Sequence, residues 1–150
     1  MSIDKSDPNV ARETAVNPNR NVAVVGLMTD DKRILLVRTK RFPDHWQPIG
    51  GGVKAGDPSP QDALVRELRE EVGLTINRSD LAFELTTPYD FGKGTVSFFT
   101  ASLPPGSELK YDEGELTDWA WYNLCQSLSL QMFPATRTFI NHLLSKTPHE

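Results

Sequence analysis

Sulfur is scarce in this chain: its 150 residues include one cysteine, Cys125, and three methionines. A single thiol cannot close an internal disulfide, so packing must hold the fold, and a cytoplasmic setting is the expectation. No residue beside Cys125 marks it as a nucleophile, and it reads as a small buried residue. Histidine is equally rare, with three copies. His45 has no second histidine or cysteine at metal-ligand spacing and reads as a surface residue. No apolar run is long enough to span a bilayer. Residues 1–19 lack the apolar centre of a secretion signal. The chain also lacks a basic excess. Its net charge of −4 separates it from proteins that coat nucleic acids. No nucleic-acid partner and no membrane partner are expected, whereas a small nucleotide stays open, because a bound cation can invert a local field.

What is present is ordinary for a globular protein: 38% hydrophobic and 24% charged residues over a length that suits one core. Residues 1–19 are polar, with Pro8 and Pro18. They read as a flexible extension, or as a segment that pairs with a partner subunit, ahead of a single domain over 20–150. A monomer or a homodimer is expected. Residues 21–28 are β-branched and apolar, as in a buried strand. Residues 29–32 form a polar turn, and residues 33–38 return as a second strand, closing a hairpin. Further on, 74–78 and 81–87 read as strands, 88–94 as a turn-rich loop and 95–101 as a strand. Residues 108–115 form an acidic loop. Residues 117–122 alternate as a strand with Trp119 and Trp121 on one face, and 133–145 read as an amphipathic helix. Strands, helix, strands, helix is the order of an α/β (α+β) domain, a mixed sheet flanked by helices.

Residues 50–74, GGGVKAGDPSPQDALVRELREEVGL, organise the chain. Ser59 suits a helix N-cap, Pro60 the first helical position and Asp62 the third. Gly73 suits the position past the helix end. Glu67, Glu70 and Glu71 stand at i, i+3 and i+4 and share one face. Three carboxylates together repel, and a hard divalent cation such as Mg²⁺ offsets that repulsion while sharing its shell with phosphate oxygens. A solvated acidic face, partly neutralised by Arg66 and Arg69, is the other reading. The glycines just upstream favour the cation, since they let backbone approach a ligand. Before them, Trp46 suits packing beneath the glycine loop, and Phe42 is a candidate for stacking a base. Arg38 and Arg41 suit either phosphate contact or solvated charge.

This segment resembles the signature of the Nudix hydrolases: Gly, five residues, Glu, seven residues, Arg-Glu, an aliphatic, any residue, Glu-Glu, any residue, Gly, an aliphatic. Gly51, Arg66, Glu67, Leu68, Glu70, Glu71, Gly73 and Leu74 match it. Asp57 stands where the first Glu is expected, the spacer to Arg66 is one residue longer, and Lys54 occupies a place where many members carry an acid. The extra residue is expected to form a bulged turn before Ser59, leaving the three glutamates to converge on one metal position. The resemblance implies the Nudix fold, a mixed sheet sandwiched between helices. It implies hydrolysis of a diphosphate bond in a nucleoside diphosphate linked to a group X, dependent on Mg²⁺ with Mn²⁺ as a substitute. Glu67, Glu70, Glu71 and the Gly51 carbonyl are the implied metal ligands. Arg66 would orient Glu67, and Asp57 would join loop to helix. Glu70 is one candidate base, and Glu115, among the loop acids Asp112, Glu113 and Glu115, is another. A nucleoside triphosphate yielding monophosphate and pyrophosphate is the expected substrate. ADP-ribose or another nucleotide sugar is the alternative, to whose branch Pro88 bears a slight likeness, as Tyr89 does to the dinucleoside polyphosphate branch. The remaining alternative is a nucleotide-binding module with weak catalysis.

Overall fold

The structure, a computed structural model, describes residues 20–146 together with residue 8. The expected flexible extension over 1–19 therefore lies almost wholly outside the described residues. Six strands appear in chain order: β1 (Val22–Met28), β2 (Arg33–Thr39), β3 (Ile49–Gly52), β4 (Ala82–Pro88), β5 (Thr95–Ser102) and β6 (Leu116–Asn123). Helix α1 (Pro60–Val72) follows β3, and α2 (Leu124–Ser127) and α3 (Pro134–Lys146) follow β6. The sheet runs β4-β5-β1-β2-β6, with β3 also pairing β1. Strands β1 and β5 are parallel, from Val22 opposite Val96 to Met28 opposite Ser102. The other named pairings are antiparallel.

Strand β1 is apolar throughout because both of its faces are covered. Ala23, Val25 and Leu27 pack with Leu64, Leu68 and Val72 of α1. Val24, one step along, packs instead with Phe139 and Ile140 of α3. Alternation on β2 follows the same rule, Leu35 and Val37 toward α1, Ile34 and Leu36 toward α3. The expected mixed sheet between helices is thus the observed one. Glu84 of β4 fastens α3 to it, accepting from Lys146 Nζ at 2.6 Å and Thr100 Oγ1 at 2.8 Å, with His142 Nε2 at 3.1 Å.

Several local expectations need correcting. The hairpin opens early: β1 meets β2 at Met28 opposite Ile34, while β3 takes the first half of the same edge, Val22 to Val25. The glycine run is therefore a strand, because ladder bonds require only backbone. Residues 74–78 are no strand. Leu74 and Ile76 alternate because both are buried against the α1 core, and a 3₁₀ turn, Arg78–Asp80, follows. Cys125 is exposed, since α2 turns Leu124 and Ser127 inward instead. His45 is buried, stacked on Phe133 with centroids 4.0 Å apart.

Candidate active site

Helix α1 carries the acidic face, and its start is fixed locally. Ser59 Oγ accepts from the Asp62 N–H at 3.1 Å, with Pro60 in the first turn, where a missing N–H costs nothing. Ahead of it the chain doubles back between Lys54 and Asp57: the Asp57 N–H donates to the Lys54 carbonyl at 2.9 Å, and the Lys54 N–H to Asp57 Oδ2 at 2.8 Å. Helix α1 then runs unbroken through its thirteen residues.

That turn places Asp57 against Arg66. Nε donates to Oδ1 at 3.2 Å and Nη2 to Oδ2 at 2.9 Å, a two-pronged pair. These bonds, with that of the Lys54 N–H, hold the Asp57 carboxyl below its ordinary value, and Asp57 in turn raises the Arg66 guanidinium. The remaining prong, Nη1, donates to Glu67 Oε1 at 2.9 Å and reaches Glu70 Oε2 at 3.4 Å. Arg66 is thus fully engaged within the protein.

Glu71 sits differently. Its Oε2 is buried and has no hydrogen-bond partner. Burial pushes its carboxyl up to about 8, helped by the negative charges of Glu67, Glu115, Glu70 and Asp112. Burial also raises Glu67, outweighing the attraction of Arg66. Glu70 keeps 54% of its side chain exposed. Two of the neighbouring acids arrive from the loop before β6, which docks on the end of α1. There the Lys110 and Asp112 N–H groups donate to the Val72 and Glu71 carbonyls, each at 2.8 Å. Those carbonyls have no partner inside the helix.

All three glutamates line one cavity of about 910 Å³, together with Gly51, Asp112 and Glu115. They do not converge on one point. Among the described residues no three carboxylate, imidazole or thiol groups are arranged to hold a metal ion. The physical reason is local: Arg66 draws Glu67 and Glu70 to itself, while Glu71 Oε2 stays without a partner. The donor set nevertheless fits a hard cation. An unpartnered, buried carboxylate oxygen is the group that such an ion satisfies. Gly51 leaves room for the neighbouring Glu67 carboxylate, since a Cβ there would lie 2.8 Å from Glu67 Oε1.

The other expected contacts divide. Arg41 lines the cavity, and so does Phe42. Phe42 is not a loose ring, however. It is buried, stacked with Phe91 at 5.3 Å and edge-on to Phe133 at 4.9 Å. Arg38 is absent from the cavity wall. It pairs with Asp118 at 2.6 Å and lies over the Trp46 ring at 4.9 Å, because β2 turns it toward the α3 side with Ile34 and Leu36. Glu113 is exposed and does not line the cavity. Sequence reasoning noted Tyr89 but passed over the rest of the aromatic wall, Phe91 and Phe133, with Asp90 among them. The available signal was a carboxylate set between two aromatic residues in a loop.

A family model, the NUDIX domain, matches residues 17–143. Among curated proteins, the NAD-capped RNA hydrolase NudC of Pseudomonas aeruginosa is 30% identical over 128 residues, 85% of this chain and 44% of that protein. The protein of that name from Mycobacterium tuberculosis is 30% identical over 107 residues, 70% of this chain and 33% of the relative. The chain thus spans less than half the length of these curated relatives. Among solved structures, the E. coli dihydroneopterin triphosphate pyrophosphohydrolase superposes with a TM-score of 0.70 at 20% identity, covering 86% of this chain and 99% of that one. The NUDIX domain of Shewanella oneidensis NrtR, complexed with ADP ribose, gives 0.71 at 18% identity, covering 88% and 90%. At these identities the likeness is one of fold. The family match covers most of the chain and includes the segment from Gly51 to Leu74, and on that ground the chain belongs to the Nudix hydrolase family.

Proposed function

We propose that this chain hydrolyses a diphosphate bond in a nucleoside diphosphate linked to a second group, using Mg²⁺ held by Glu67, Glu70, Glu71 and the Gly51 carbonyl. The observation that carries this reading is the buried, unpartnered Oε2 of Glu71 in the wall that Glu67 and Glu70 share. Bound there, the cation would neutralise phosphate charge and polarise the phosphoryl oxygens. The chain's own residues supply the rest. Arg66 positions Glu67 and is itself positioned by Asp57, so both act through the glutamates. Glu70 and Glu115 both reach the cavity with exposed side chains, and either can take a proton from the attacking water. Arg41 and Lys54, on the same wall, suit the outer phosphate oxygens. The aromatic wall suits a flat ring system.

A nucleoside triphosphate remains one candidate. The likeness to proteins named NAD-capped RNA hydrolases supports a second, in which the diphosphate joins two nucleosides. That likeness also brings an RNA-linked substrate into the panel despite the acidic net charge. Nucleoside triphosphates, ADP-ribose, dinucleotides and capped RNA are to be incubated with Mg²⁺, Mn²⁺ or chelator, and the products identified. Release of a monophosphate with Mg²⁺, and a fall of about 100-fold or more in Glu71→Gln, are expected. Turnover that survives both Glu70→Gln and Glu71→Gln would sink the proposed metal site. Nucleotide binding without turnover on any substrate would identify a binding module instead.

A further inference from the structure

Asp90 is the one acid in the aromatic part of the cavity wall. It follows Tyr89 and precedes Phe91, whose rings meet edge-on at 5.4 Å, and Phe91 packs against Phe42 and Phe133. Its Oδ1 accepts from the Ala135 N–H at 3.3 Å, at the start of α3, and Ala135 and Thr136 share the wall. Its Oδ2 has no partner among the described residues. Among the described residues, the Ala135 N–H is the hydrogen-bond donor to Asp90. Burial raises its carboxyl to about 6, against the lowering effect of the Ala135 N–H. Asp90 is only partly buried, so its second oxygen stays open on the cavity side to a donor from a ligand.

Capping α3 accounts for Oδ1 and leaves Oδ2 without a task. Building on the reading of the cavity as a nucleotide site, we infer that Asp90 Oδ2 accepts an N–H from the exocyclic amino group of a ring held beside Phe91, and so selects amino-bearing bases over their oxo counterparts. The chemistry is that of a carboxylate reading a base amino group. An oxo base would set a carbonyl oxygen against the carboxylate oxygen, and both are acceptors.

The test uses nucleoside monophosphates, which contain no diphosphate bond, so it does not depend on turnover. Binding of AMP and IMP, and of CMP and UMP, is measured by calorimetry on the full chain with Mg²⁺ present. The amino member of at least one pair is expected to bind about 10-fold tighter. Asp90→Asn keeps an oxygen for the Ala135 N–H but presents an NH₂ in place of Oδ2. It should melt like the parent and reduce the preference to within about 2-fold or reverse it. Equal affinities within both pairs, a preference that survives Asp90→Asn, or no binding of any of the four would overturn the inference. Discrimination without hydrolysis would sink only the proposed reaction, and hydrolysis without discrimination only the role of Asp90. Should Asp90→Asn melt early, Asp90→Ser, whose hydroxyl can still accept from the Ala135 N–H, takes its place and should likewise reduce the preference to within about 2-fold; a preference that survives it overturns the inference.

Discussion

At the scale of single residues, the site is a set of unequal acids. Asp57 and Glu71 belong to one short segment, yet Arg66 lowers the first and burial raises the second. The difference has a measurable sign. Glu71 titrates near 8 in the folded, metal-free protein against 4.5 for an ordinary glutamate, so the folded state holds a proton that the unfolded chain releases. Its stabilising contribution is complete below the unfolded value and is lost as pH rises through the folded one. With chelator present, the melting temperature should therefore fall between about pH 5 and pH 9, and Glu71→Gln should flatten that fall. A parent protein as flat as the variant would show that Glu71 is not held in a desolvated site.

At the scale of elements, the end of α1 and the loop before β6 form one joint. Gly73 adopts φ 67°, and its N–H turns back to the Arg69 carbonyl at 3.2 Å. A Cβ there would lie 3.2 Å from Lys110 Cβ, in the docked loop. Gly73→Ala should cost about 1–2 kcal/mol of stability, the price of a left-handed residue, measurable by urea unfolding. A larger loss of turnover than of stability would show that the loop acids help the reaction. This joint also shows what could be read from sequence. Ser59, Pro60 and Gly73 marked both helix ends, because caps are local chemistry. So were the apolar runs of β1 and β5. The strand character of Gly50 to Gly52 was not legible, since it comes from a vacant edge on β1 that no local pattern reveals. Arg38 was misplaced for a related reason. Its partner Asp118 is eighty positions away, and only the β2–β6 register brings the two together. Phe42 and Phe133 likewise meet only once α3 has packed.

At the scale of the whole molecule, the cavity wall gathers several carboxylates, and the proposed cation would offset their repulsion. Mg²⁺ that binds the folded chain and not the unfolded one should raise its stability by about 2.7 kcal/mol at a hundredfold excess over the dissociation constant. Thermal scans with Mg²⁺ and with chelator measure this. An unchanged melting temperature in Glu71→Gln, set against a clear rise in the parent, is the expected pattern. Among the described residues, no helix is long and apolar enough to cross a membrane.

The parallel pairing of β1 with β5 bears on how the chain reaches this state. Strand β1 lies at the centre of the sheet, yet its parallel neighbour begins only at Thr95, and Asn21 meets Thr95 across 74 positions. On a ribosome, β2, β3 and α1 can assemble on one edge of β1 well before β5 has been made. The opposite edge then waits with its backbone groups unpaired, an open template for other extended chains. Closure of that ladder carries the large loop entropy of a distant contact and should set the folding rate.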